Sequence, residues 1–390
     1  MSSPPTESQR VHYLDNLRAL AMLLGVYLHG ALAYAEPSRS VWLATDRRGS
    51  MAIDASIWWI HLFRMSLFFL LSGYFAKLLI ERRGHRAFIW NRGIRLALPF
   101  LLFYPPLWVG MMIVLAFAVS YVEQPEGLLQ YIIAAGQNPE AVQATPTWST
   151  MHLWFLYYLL MFSAIAVAFS RFTRRIFLRL GQLLNRKWLL ASAPLALVPG
   201  IFGGGLPVAA PESFVPTWWP FLFYGLFYLG GWLLFGHEDF LDQLQPYCWW
   251  MALASTLLFV PYYWLLPVLD IKIILTGQSQ LSAGSYLVEC VLTAYLAVLL
   301  TITSLLIGQR FLARSNAWLK FCADSSYWVY LIHLPVVLFL QTLLIPVPWV
   351  VWGKLCVVTI GAWLFCVATY LVFVRYTPIG WMLNGRRTFP

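Results

Sequence analysis

Apolar runs long enough to cross a bilayer recur from one end of this chain to the other. A hydrocarbon core about 30 Å thick calls for about 20 apolar residues in a helix. The backbone can satisfy its own polar groups there only in a helix or a closed barrel. Of the 390 residues, 60% are hydrophobic and only 11% charged, too few charges to cover a soluble domain of this length. The expected fold is therefore all-α, a polytopic transmembrane helix bundle of about ten spans. Their limits read as 14–35, 56–79, 96–121, 152–170, 188–206, 217–236, 247–269, 285–307, 321–345 and 350–374. "PGIFGGGLP" interrupts the fifth and gives it a partly re-entrant character. No repeat or linker divides the chain, so residues 1–390 read as one domain.

The formal net charge of +10 does not point to nucleic acid, because the basic residues cluster in short loops between apolar runs. One set of loops holds Arg10, the groups from Lys77 to Arg95 and from Arg171 to Lys187, Arg310, Arg314, Lys320, Arg375, Arg386 and Arg387. The opposite set holds Arg39, Arg47, Arg48 and Lys272. The positive-inside rule then orients both termini to the cytoplasm. The five cysteines lie in or beside apolar runs without metal-ligand spacing, so they read as buried thiols, and no metal site is expected. The first apolar run has no small-residue cleavage site, so a removed signal peptide is not expected.

Several ionisable residues interrupt these apolar runs. In "RALAMLLGVYLHG", Arg18 and His29 are eleven residues apart, which brings them to nearly one helix face about 16 Å apart. Asp15, three residues before Arg18, is placed to pair with it. The second run carries His61 and Arg64 one turn apart, at a depth near that of His29. His152 opens the fourth run, Glu289 stands near the start of the eighth, and Asp324 and His333 lie in the ninth. A buried carboxylate is costly without a partner, so a histidine or Arg64 is expected beside Glu289. Each group alone also suits a hydrogen bond between helices, whereas several at one depth mark a functional site. Arg92 and Arg95, in "FIWNRGIRLALP", share a face if they begin the third helix. They suit a phosphate clamp as well as plain positive-inside charge.

These residues resemble the acyltransferase 3 family of membrane acyltransferases. The resemblance rests on Arg18 with His29 eleven residues on, on "FRMSLFFLLSGYF" in the second run, and on the Arg92–Arg95 pair. "HLWFLYYLL", "VECVLTAYLAV" and "YWVYLIHLP" extend it over most of the chain. Within the family the likeness is to succinyltransferases of osmoregulated periplasmic glucans. The resemblance implies a multi-pass protein of the bacterial inner membrane that transfers an acyl group from cytoplasmic acyl-CoA to hydroxyls of a glucan on the outer side. Succinyl-CoA is the expected donor and acetyl-CoA the alternative; each is a co-substrate, and no tightly bound cofactor is expected. Arg18, Arg92 and Arg95 would hold the phosphates of the donor and Arg64 its acyl end. His29 would act as general base or carry the acyl group, with Glu289 orienting it and Arg18 counted with them in the catalytic set. His61, His152, Trp148 and His333 would meet the acceptor.

The alternatives are O-acetylation of another exported glycan and, from a different class, a proton-coupled transporter, which buried His, Arg and Glu also suit. A transporter of that kind usually has two related halves, and no convincing repeat is legible here. The outer segments hold Glu36, Asp46, Asp54, Glu123, Glu126, Glu140, Glu212 and Asp270, a balance that disfavours an anionic acceptor. Trp42, Trp148, Trp218 and Trp219 suit either an interfacial belt or stacking on sugar rings.

Overall fold

The computed structural model describes residues 7–137, 149–170, 191–269, 281–314 and 316–385. Trp148, the Arg171–Lys187 cluster, Asp270, Lys272, Arg386 and Arg387 lie outside them. Among the described residues the architecture is helical, with two isolated β-bridges, Ala35 to Ser50 and Ser149 to Ser213. The helices are α1 (Glu7–Leu32), α2 (Met51–Arg92), α3 (Leu98–Tyr121), α4 (Gly127–Gln137), α5 (Trp154–Ser170), α6 (Val198–Gly204) and α7 (Trp219–Leu234). They continue with α8 (Asp239–Leu244), α9 (Cys248–Leu265), α10 (Ala283–Phe311), α11 (Ala317–Leu344), α12 (Val351–Thr369) and α13 (Pro378–Asn384).

Six stretches among the described residues are long and apolar enough to cross a membrane: Met51–Tyr121, Met151–Phe169, Asp239–Leu265, Ala283–Phe311, Ala317–Leu344 and Val351–Val374. Their outward faces are apolar too. On α9, Leu253, Leu257, Val260 and Trp264 recur at helical spacing and are exposed. A face of that kind has lipid, not water, as its natural solvent. The chain is thus a multi-pass membrane protein. Six is fewer than the expected ten, counted among the described residues. Helix α1 carries Asp15, Arg18 and His29 and is not among the six. The described part of the fifth expected span, from residue 191, contains a 3₁₀ turn, Ala193–Leu197, and the seven-residue α6, and α7 has 16 residues. The loop expected over 122–151 contains the amphipathic helix α4, which the sequence reading missed.

A straight helix of 71 residues would be about 106 Å long, more than three hydrocarbon cores. The stretch Met51–Tyr121 instead breaks at Gly84, whose φ of 78° and ψ of 171° are non-helical. Both of its ends then return to the segment 33–50. Asp54 accepts from the Ser38 backbone N–H, and Val114 and Ala118 pack on Leu43 and Ala44. Beyond Gly84 the helix passes through a π-helical turn, Gly93–Ala97, before continuing as α3. Arg92 and Arg95 sit at this turn, not at the start of a third helix.

The core is organised around α1, α2, α10 and α11. Helix α2 packs most extensively on α7 because two glycines let the backbones meet. A Cβ on Gly73 would stand 1.9 Å from the Tyr228 carbonyl oxygen, and one on Gly231 would stand 1.7 Å from that of Leu70. Small residues at such crossings exchange side-chain bulk for close dispersion contact, the main cohesive force between helices in lipid. Helix α11 fills the groove between α1 and α12. Four of the cysteines are buried as expected, whereas Cys356 is exposed on α12.

Candidate active site

His29 lies in the last turn of α1 and lines a cleft of about 450 Å³ between α1, α2, α5 and α11. Arg64, His152, His333 and Tyr330 line it as well, over an aromatic floor that includes Phe68 and Phe155. The rings of His29 and His333 are 5.0 Å apart, and those of His152 and His333 are 5.5 Å apart. His29 Nδ1 and His333 Nε2 are hydrogen-bonded at 3.2 Å.

Each of these side chains is held for a local reason. His333 Nδ1 donates to the Tyr330 carbonyl at 2.8 Å and to that of Val329 at 3.1 Å, within its own helix. Two residues later comes Pro335, inside α11. Proline has no N–H, so the carbonyl four residues back, that of Leu331, has no helical donor. His152 supplies the missing one: its Nε2 donates to Leu331 O at 2.9 Å. The Tyr330 hydroxyl in turn donates to the His152 carbonyl at 2.7 Å. His152 stands on a 3₁₀ turn, Met151–Leu153, ahead of α5. The Thr150 N–H and hydroxyl pin that turn by donating to the Glu212 carbonyl at 2.6 and 2.8 Å. Arg64 reaches the cleft through a notch in α1. Its Nη1 lies 2.5 Å from where a Cβ on Gly25 would be, one turn before His29.

The backbone at His29 is held by a residue that sequence reading did not single out. Gln341 is buried on α11, and its Nε2 donates to the carbonyls of His29 and Gly30, each at 2.9 Å. These carbonyls belong to the last turn of α1, where a helix leaves acceptors without internal donors. The Gln341 Oε1 accepts from Trp42 Nε1 at 2.9 Å, and the Trp42 ring lies 5.8 Å from that of His29. A signal was present: Gln341 is a lone amide in an apolar run, eight residues and so about two turns from His333. The segment 33–50 that carries Trp42 is anchored by an ion pair between Asp46 and Lys354, both buried. Asp46 and the buried Asp54 are therefore internal partners, and the expected acidic surface is smaller than the sequence count.

Not every expected residue joins the cleft. Glu289 is fully buried on α10, and neither carboxylate oxygen has a hydrogen-bond partner among the described residues. It is neither beside His29 nor paired with Arg64 or a histidine. His61 donates from Nε2 to the Val208 carbonyl at 2.8 Å and lines a smaller neighbouring cavity of about 270 Å³ with Tyr262 and Thr293. Trp218 is exposed and Trp219 buried, and neither is among the residues lining the cleft. No group of three His, Cys, Asp or Glu side chains among the described residues is arranged to hold a metal ion.

Arg18 is not among the residues lining the cleft; it lies near the middle of α1, half exposed and 3.2 Å from Asp15. Arg92 and Arg95 are within electrostatic reach of it. Arg92 stacks over the Phe88 ring at 4.8 Å, and its Nε has no hydrogen-bond partner among the described residues. Arg95 lies against Gly385, where a Cβ would come within 2.5 Å of its Nη2, and its backbone carbonyl accepts from the Tyr327 hydroxyl. These three cations thus form one group, and Tyr327, bonded to the Arg95 carbonyl, is 6.4 Å ring to ring from the cleft residue Tyr330. The cleft itself holds three imidazoles and one guanidinium, with no carboxylate among its lining residues.

Comparison with known proteins bears on what such a site does. No solved structure matches the chain. The chain is 27% identical over 370 residues to glucans biosynthesis protein C of Salmonella paratyphi A, covering 89% of this chain and 86% of that protein. It is similar at the same identity and coverage to the proteins of that name from Salmonella agona and Salmonella dublin. The acyltransferase 3 family, described as an acyltransferase domain, matches residues 11–371, which include every cleft residue named above. The chain belongs to this family of membrane acyltransferases.

Proposed function

We propose that this protein transfers a succinyl group from succinyl-CoA to hydroxyls of a periplasmic glucan, from the inner membrane of a bacterium. Both termini face the cytoplasm, so the Arg18, Arg92 and Arg95 group receives the donor and the His29 cleft receives the acceptor from the outer side. The three guanidinium groups hold the CoA phosphates, and the thioester reaches the cleft along α1. His29 takes the proton of a glucan hydroxyl as its oxygen attacks the thioester carbonyl carbon. The C–S bond breaks, an ester C–O bond forms, and the CoA sulfur leaves with the proton returned by His29. Attack by the His29 ring itself, with an acyl-imidazole carried to the glucan, is the second form of the same transfer.

One observation carries the donor choice. Arg64 lines the cleft with His29, has an Nε without a hydrogen-bond partner, and pairs with no carboxylate among the described residues. A guanidinium in apolar surroundings is complemented by an anion, and a succinyl group brings a carboxylate where an acetyl group brings none. The glucan assignment rests on the relatives' name and on the chain's likeness to them. Purified protein in lipid, given succinyl-CoA or acetyl-CoA and a neutral periplasmic-type glucan, provides the test by mass of the product. The expected result is a succinylated glucan, lost in His29→Ala while the protein still inserts and folds. An acetylated product alone overturns the donor, and modification of another exported glycan in its place overturns the acceptor. Full turnover by His29→Ala overturns the role of His29.

A further inference from the structure

We infer that His333 is a positioning residue that fixes the tautomer of His29, holding the proton on Nδ1 and leaving Nε2 bare. The inference rests on the proposed role of His29 and adds to it the residue that makes that role possible. It follows from hydrogen-bond direction together with the neutrality of His333. A carbonyl oxygen has no proton, so a ring nitrogen bonded to one must carry the hydrogen. His333 Nδ1 faces two carbonyls, Tyr330 O at 2.8 Å and Val329 O at 3.1 Å, and is the protonated nitrogen of that ring. In a neutral imidazole the other nitrogen is then an acceptor. His333 Nε2 points at His29 Nδ1 across 3.2 Å, so His29 Nδ1 donates. His29 Nε2 is left with its lone pair.

The surroundings keep His333 neutral in this chain of bonds. The cleft already contains the Arg64 cation and has no carboxylate among its lining residues, so a charge on His333 would stand unpaired beside another of the same sign. His152 follows the same logic independently. Its Nε2 donates to Leu331 O, and its Nδ1 has no partner among the described residues. The backbone of α11 thus sets both neighbouring rings, and through His333 it sets His29. A free imidazole can place its proton on either nitrogen. Here one form is selected before substrate arrives, and a general base needs its bare nitrogen ready in the productive direction.

The test is a ¹⁵N spectrum of histidine-labelled protein in lipid, where protonated and bare ring nitrogens resonate far apart, with His29 assigned by comparison with His29→Ala. The expected spectrum has His29 protonated at Nδ1 and bare at Nε2, and His333→Leu loses that preference. Turnover in His333→Leu falls on the order of 10²- to 10⁴-fold, the contribution of a positioned general base, with KM for acyl-CoA unchanged. His333→Gln, whose side-chain oxygen can accept the same N–H, recovers part of the rate. A wild-type spectrum with His29 protonated at Nε2 overturns the inference without any variant having to fold. His29→Ala activity is read separately, so a failure of the proposed base is distinguishable from a failure of its orientation.

Discussion

Gly25→Ala should raise the stability of this protein and lower its activity. Gly25 is helical, four residues before His29 on α1, and alanine in a helix interior is favoured over glycine by about 0.8–1.0 kcal/mol. The new Cβ would stand 2.5 Å from Arg64 Nη1, where ordinary contact begins at 3.4 Å. The obstacle is the tip of a flexible side chain, so the guanidinium moves by about 1 Å and the helix stays intact. A displacement of that size in a positioning group costs on the order of 10²-fold in rate. Loss of one charge-assisted bond to the donor carboxylate, about 1.5–3 kcal/mol, corresponds to a ten- to hundredfold effect. Thermal unfolding in detergent and initial rates with succinyl-CoA would be measured on the same preparation. A melting temperature at or above that of the parent, with the rate reduced at least tenfold, is the expected pair. An unchanged rate would refute the placement of Arg64 in the reaction, and a fall in stability would refute the account of the notch.

Arg92→Ala and Arg95→Ala should each weaken acyl-CoA binding about ten- to hundredfold, as loss of a charge-assisted phosphate contact predicts; equilibrium binding of a non-hydrolysable donor to the membrane protein measures it, and parental affinity in both would reduce the pair to a topology signal. Gly231→Ala should abolish the folded bundle, because its Cβ would meet the Leu70 backbone carbonyl at 1.7 Å and no side chain can yield; a monodisperse protein by size-exclusion chromatography would contradict this. Lys354→Met should destabilise by about 3–5 kcal/mol, since it leaves the buried Asp46 without its cation. Combining it with Asp46→Asn should recover a large part of that loss, and equal melting temperatures for the single and double variants would show that the ion pair contributes little.

The spacing of residues along single helices was legible in the sequence, because a helix has one fixed period. Arg18 and His29 were placed on one helix eleven residues apart, and α1 carries both, with His29 in its last turn and Arg18 near its middle beside Asp15. The same period placed His61 and Arg64 one turn apart on α2. Length and hydropathy identified the long apolar helices, since a bilayer accepts few other structures. The motifs in "RALAMLLGVYLHG" and "FRMSLFFLLSGYF" pointed to the acyltransferase family that the chain matches over residues 11–371.

What touches His29 was decided only in three dimensions. Glu289 had the right chemistry for a partner, yet α10 turns it elsewhere, and His333, 304 residues from His29, takes the place beside the ring. The pairing depends on how α11 is rotated in the groove between α1 and α12, which no period within one helix specifies. It depends as well on Gly25, whose missing side chain admits Arg64, and on Pro335, whose missing N–H frees the Leu331 carbonyl for His152. Both residues act by what they lack, and what fills the space or the bond comes from a distant part of the chain. Sequence periodicity reports which face a residue occupies, whereas close packing between helices determines which faces meet.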